Sequence, residues 1–426
     1  MHICRLNNLL LCIFMILPMT LLTQHNTDES LVPEYDLPAL LTDSHGKQIS
    51  EATTWEEHRR SEILSIFEQE VYGIPPLEEI AVEVSEKVLE RMAFHGKATI
   101  REITFTFTNN GKRLDAVLLL VLPNSPDPAA VFLGYNFGGN HTILPDESIQ
   151  LPKGWVLGGP QIGAFDHKAS VVSRGAKYSR WPVLNMLARG YGLATMHYGD
   201  IDPDFDDDFK NGIHALFSNS EHIKNGNWGA LATWSWGLSK IMDYFETNPL
   251  INHEKITLLG HSRLGKAALW AGALDKRFAI VISNNSGCGG AALSKRRFGE
   301  TVAAINKNFP HWFCKNFEKY NENESAMPFD QHQLLALMAP RPLYIASAQN
   351  DSWADPKGEF LSLKHASAVY ALYHPNSTIS GELPEVNRPL IQGKLGYHIR
   401  TGNHDVTPYD WEQFMNFTDQ HFANGN

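Results

Sequence analysis

A serine stands between an apolar run and a helical pattern at Ile256-Thr257-Leu258-Leu259-Gly260-His261-Ser262-Arg263-Leu264-Gly265-Lys266. A serine on a sharp strand-to-helix turn exposes its Oγ, and the helix start behind it offers backbone N–H groups to a developing oxyanion. Gly260 permits the tight backbone that the turn needs. The common form is Gly-x-Ser-x-Gly, whereas here Leu264 takes the second glycine's place and Gly265 follows one later. That pattern alone also fits a serine that merely caps a helix. The strand before it and the amphipathic helix after it carry the nucleophile reading.

Serine hydrolysis on such a turn needs an imidazole base and an orienting carboxylate, in the chain order Ser, Asp/Glu, His. The last apolar strand, Leu343 to Ala348, runs into Gln349-Asn350-Asp351-Ser352-Trp353-Ala354-Asp355-Pro356. A carboxylate two or three residues past a strand end can reach an imidazole above the sheet, which favours Asp351. Asp355 reads as part of the turn with Pro356. Five histidines follow: His365, His374, His398, His404 and His421. His404 sits in the polar loop Thr401-Gly402-Asn403-His404-Asp405, ahead of the last helical pattern, Asp410 to Phe422. His398 is its rival, although apolar flanks suggest a packed strand residue.

The elements that must position these groups alternate along the chain. Trp55 to Tyr72 has apolar residues at helical spacing and is stopped by Gly73 and Pro75-Pro76. Thr99 to Thr108 alternates as a half-buried strand. Short apolar runs follow at 116–123, 130–135, 192–198, 256–260, 279–283 and 343–348, with helical patterns at 181–189, 230–245, 265–273 and 331–338. Apolar strands alternating with helices predict an α/β fold: a mostly parallel central sheet covered by helices on both faces, a three-layer sandwich. Catalytic groups would then lie beyond the carboxyl ends of the strands.

Composition bounds the function. The 426 residues include 36 Lys+Arg and 47 Asp+Glu, for a net charge of -11, with 43% hydrophobic and 11% aromatic residues. That excludes disorder over most of the length and argues against a nucleic-acid-binding face. Arg5 followed by the apolar run Leu9 to Leu22 reads as a secretory signal, too short for a typical membrane span. The expected organisation is a signal peptide over 1–23 and a single domain over 24–426, exported to periplasm or medium, with no lasting membrane insertion. Cys288 and Cys314 would remain, either as one disulfide or as two buried thiols. No metal spacing such as Cys-x-x-Cys occurs, and no cofactor is expected. Asp204-Phe205-Asp206-Asp207-Asp208 lacks the glycine and glutamate of an EF-hand and reads as a solvated acidic loop. Trp228, Trp234 and Trp236 read as core or cleft wall.

Gly260-His261-Ser262-Arg263-Leu264-Gly265-Lys266 resembles the Gly-x-Ser-Arg-x-Gly-Lys motif of the glucuronoyl esterases, carbohydrate esterase family 15, within the α/β-hydrolase superfamily. Four further stretches are similar to that family in the same order: 136–142, 286–290, 310–313 and 351–356. The resemblance implies cleavage of esters of (4-O-methyl-)glucuronic acid, as in linkages between glucuronoxylan and lignin alcohols, without a metal; a monomer acting without a cofactor is expected. It implies Ser262 as nucleophile, His404 as base and Arg263 as oxyanion partner, with Lys266, Glu300 and Trp353 against the uronate. Many members carry an acidic residue where Asn285 stands, so Asp351, at the position that some bacterial members use, becomes the triad acid. His261 replaces the cysteine of fungal members. The alternatives are another exported carbohydrate esterase, such as an acetyl-xylan esterase with the same triad, or a non-catalytic glycan-binding relative.

Overall fold

Residues 25–159, 163–217 and 220–423 are described by the computed structural model. The expected signal segment, 1–23, lies outside them. Ten strands form one sheet: β1 (Ala81–Met92), β2 (Ala98–Asn109), β3 (Lys112–Pro123), β4 (Ala129–Asn136), β7 (Tyr191–His197), β8 (Ile251–His261), β9 (Ile280–Asn284), β10 (Leu343–Ala348), β11 (Leu390–Gln392) and β12 (Leu395–Arg400). A separate two-stranded ribbon pairs β5 (Ala164–Phe165) with β6 (Lys168–Ala169). The spatial order is β1-β2-β3-β7-β4-β8-β9-β10-β12-β11. From β7 to β12 every neighbour is parallel. The first three strands, and the short β11, add antiparallel edges.

The unbroken apolar runs follow from burial on both faces. In β9, Val281 packs into one core while Ile280 and Ile282 pack into the other. In β10, Leu343 and Ile345 face the first core, and Tyr344 and Ala346 face the second. The first core is closed by the helices Ala230–Phe245, Arg263–Leu274 and Pro356–Tyr373, the second by Val183–Ala188 and Pro408–Ala423. The expected three-layer α/β architecture is therefore present.

One strand departs from expectation. β2 was expected to be half-buried, yet nine of its twelve residues are buried. Its polar face is roofed by the segment around Gln150, whose backbone and side-chain amides donate to the Glu102 carboxylate at 2.7 and 2.8 Å. The helical stretch 52–72 includes the expected helix and ends at Gly73 (φ 86°), where a Cβ would lie 2.1 Å from the Asn227 carbonyl oxygen. Cys288 and Cys314 are both free and buried, so of the two readings the thiols hold. Trp228 and Trp234 are core residues, and Trp236 packs against the same core.

Candidate active site

β8 delivers Ser262 at its carboxyl end, and the helix Arg263–Leu274 leaves directly from it. Ser262 has φ 58° and ψ -129°, a backbone state that costs a non-glycine residue roughly 1–3 kcal/mol. Its backbone N–H is fixed to the Asn284 carbonyl at 2.8 Å. Its side chain makes no capping hydrogen bond, so Oγ is not occupied in holding the helix. A Cβ on Gly260 would fall 2.0 Å from the Leu264 carbonyl oxygen, which explains that glycine. Gly265 is explained separately: a Cβ there would lie 3.0 Å from Ser283 Oγ and from Ser286 Cβ, where the helix crosses the end of β9. The displaced second glycine thus serves helix-to-strand approach.

Two neighbouring strands bring the partners. Asp351 follows β10 and starts the turn Ser352–Ala354; His404 lies in the loop after β12. His404 Nδ1 stands 2.6 Å from Asp351 Oδ2, and the Asn285 amide donates to the same oxygen at 2.7 Å. Burial opposes the charge on Asp351, but the hydrogen bonds from His404 and Asn285 outweigh it and hold the carboxyl below its ordinary range. Asp355 instead caps the helix Pro356–Tyr373 and pairs with Arg296 at 2.8 Å. His398 is fully buried between Tyr344 and Asp410, both at 2.9 Å. The structure thus separates each candidate from its rival.

The His404 loop is tied down by residues that the sequence did not single out. Arg400 donates to the carbonyls of Thr401, Asn403 and Asp405, and its Nε donates to Asp410 at 2.7 Å. The His261 ring lies 4.5 Å from that of His404. Burial first, and then the nearby charges of His404, Arg180 and Arg400, push His261 well below its ordinary value, so it packs as a neutral ring.

The elbow helix supplies two cations. Lys266 is buried; its ammonium donates to the Ser286 and Cys288 carbonyls and stands 3.9 Å from Glu300 Oε2. Burial lowers the affinity of Lys266 for its proton and raises that of Glu300, partly offset by their mutual attraction. The Glu300 backbone N–H donates to the Trp353 carbonyl at 3.0 Å. Trp353 is 39% exposed. The loop beneath, Ser286-Gly287, is held by the buried Glu359, which accepts from both backbone N–H groups at 2.7 and 3.0 Å. Burial pushes the Glu359 carboxyl up to about 8.

Arg263 corrects one expectation. Asp204 was read as part of a solvated acidic loop, but it is 7% exposed and ion-paired to the Arg263 guanidinium. Tyr198 Oη donates to Asp204 at 2.7 Å, Trp312 Nε1 at 2.7 Å and His311 Nε2 at 2.9 Å. These contacts hold Asp204 well below the usual carboxylate range despite its burial. An acidic run carries no mark of which member turns inward. The only available signal was that a buried arginine at the elbow would need a counter-ion.

A serine elbow at the carboxyl end of a central parallel strand, with an imidazole–carboxylate pair on neighbouring loops, defines a hydrolase site of the α/β type. Comparison with known proteins narrows the class. Residues 193–373 match the family model described as glucuronyl esterase, fungi. A carbohydrate esterase from an unknown prokaryotic organism is 46% identical over 94% of this chain and 93% of its own length. A 4-O-methyl-glucuronoyl methylesterase of Wolfiporia cocos is 35% identical over 42% of this chain and 46% of its own. A solved structure described as a promiscuous CE15 esterase from a marine bacterial metagenome superposes with a TM-score of 0.87 at 45% identity, covering 93% of this chain and all of that one. The glucuronoyl esterase of Solibacter usitatus gives 0.83 at 44% identity, covering 92% of this chain and 99% of that one. The chain belongs to carbohydrate esterase family 15, and it is a carboxylic ester hydrolase.

Proposed function

We propose that this protein hydrolyses esters of (4-O-methyl-)D-glucuronic acid, as they occur between glucuronoxylan and lignin alcohols, through Ser262, His404 and Asp351. The observation that carries the reading is the 2.6 Å His404–Asp351 contact beside a serine held at positive φ. Asp351 fixes the imidazole with Nδ1 protonated, leaving Nε2 to accept the Ser262 Oγ proton as Oγ attacks the ester carbonyl. Among the described residues no hydrogen bond joins Ser262 Oγ to His404, and pairs of this kind are often looser without substrate than with it. Arg263 steadies the tetrahedral oxyanion. The intermediate collapses, His404 returns the proton to the leaving alcohol, and water, activated by the same imidazole, releases the acid. Glu300, Trp353 and the remaining N–H of Lys266 hold the uronate ring.

The test is turnover of benzyl glucuronate by the pure protein. Ser262→Ala is expected to abolish it, and undiminished activity in that variant sinks the proposal. Asp351→Asn should lose about 10⁴-fold in kcat, whereas Asp355→Asn should keep the wild-type pH profile; the reverse pattern would move the acid to Asp355. One 45% identical relative is described as promiscuous, so acetyl esters belong in the same assay. Preference for them would favour the acetyl-xylan esterase reading. We further propose that residues 1–23 are removed on export and that 24–426 act as one monomeric domain on glucuronoxylan. Among the described residues no helix is long and apolar enough to cross a membrane.

A further inference from the structure

Both cations at the elbow are matched by buried acids: Arg263 by Asp204 and Lys266 by Glu300. The Arg263 pair is the more constrained. Each carboxylate oxygen of Asp204 accepts two hydrogen bonds, Oδ2 from Arg263 and Tyr198, Oδ1 from His311 and Trp312. The guanidinium carbon lies 4.7 Å from the centre of the Trp312 ring, 5.2 Å from Phe309 and 5.9 Å from Phe137. Arginine Nε is buried without a partner among the described residues. Such a group is fixed in place, and its charge is already answered.

We propose that Asp204 is a positioning residue that lets the site distinguish the neutral ester from its anionic acid product, by clamping Arg263 and cancelling its charge. This rests on the reading of Arg263 as the oxyanion partner. Hydrolysis converts R–COOR′ and water into R–COO⁻, R′OH and H⁺. Up to the tetrahedral state the net charge of the site is unchanged, because the proton lost by serine stays on His404 as the oxyanion forms. After the acid ionises and that proton leaves, the site holds one extra negative charge. A free arginine would retain this carboxylate through a charge-assisted, two-pronged contact. The field of Asp204 therefore weighs against the product far more than against the transition state, where oxyanion and imidazolium balance. Asp204 engages Nη1, which leaves Nη2 for the carbonyl oxygen.

The experiment compares turnover of benzyl glucuronate with inhibition by free glucuronate. In Asp204→Asn, kcat should fall about tenfold or more as the guanidinium loses its fixed position. Glucuronate inhibition should move the other way, tightening by about three- to tenfold as the opposing charge is removed. A merely structural role would weaken both, so unchanged or weaker inhibition overturns the proposal. Should Asp204→Asn fail to fold, wild-type protein suffices: glucuronamide, the uncharged analogue, should inhibit at least as well as glucuronate. A tenfold preference for the anion overturns the proposal. Arg263→Met separates the two levels. If that variant keeps full turnover, the oxyanion reading itself fails; if it loses turnover while glucuronate inhibition in Asp204→Asn is not tightened, only the role of Asp204 fails.

Discussion

Asn285 occupies a place where an acid would change the electrostatics of the pair it touches. Its φ of 51° lies in the left-handed region that asparagine and aspartate tolerate better than other side chains, so Asn285→Asp fits the backbone. That change removes the amide donor to Asp351 and sets a like charge beside it. A neighbouring anion raises a carboxyl pKa and also stabilises the imidazolium of His404. The added anion makes the imidazolium harder to deprotonate, so the acid limb of kcat/KM should move up by about one pH unit. A pH–rate profile checks this, and an unmoved limb contradicts the role of Asn285. Ser262, Asp351 and His404, the proposed triad, could be named from the sequence because chain order and loop position constrain them. Asp204, Arg400 and the amide of Asn285 were not, since each acts through a partner distant in sequence.

At the scale of elements, the elbow is legible because its constraints are local, although the reason for each glycine differs. Gly260 faces the Leu264 carbonyl in the first turn of the helix, and the backbone there cannot retreat without opening the turn. Gly260→Ala is expected to destabilise the fold by about 3 kcal/mol or more, read as a fall in Tm, with activity lost together with the folded protein. Gly265 faces side-chain atoms at 3.0 Å, which can give slightly. Its alanine variant should therefore be the milder of the two. Spacing also revealed β4, β7, β8, β9 and β10 of the parallel part, because burial on both faces leaves apolar runs, but not β12. It misjudged β2, whose covering segment around Gln150 is brought in from about fifty residues away. Alternation shows that one face is apolar; it does not show what lies over the other.

For the whole molecule, the two cysteines bear on how stability is achieved. Both thiols are buried, and burial pushes Cys314 up to about 11 and Cys288 further, so neither is a ready nucleophile. The Tm should be the same with and without a reductant; a reductant-dependent fall would mean a disulfide that this arrangement does not contain. The overall architecture was readable because the alternation of runs and helical patterns has few solutions. The charge balance of the site was not, because net charge sums over a surface while Asp204 and Glu300 act from inside. The site residues also lie far apart along the chain, with Asp204 and His404 200 positions from each other (404 − 204). The stretch that matches the family model ends at residue 373 and therefore includes Ser262 and Asp351 but not His404, the proposed base. A truncated copy of such a gene would still be recognised as an esterase yet be catalytically silent. During refolding, recovery of turnover would report the docking of the final strand and loop rather than the collapse of the core.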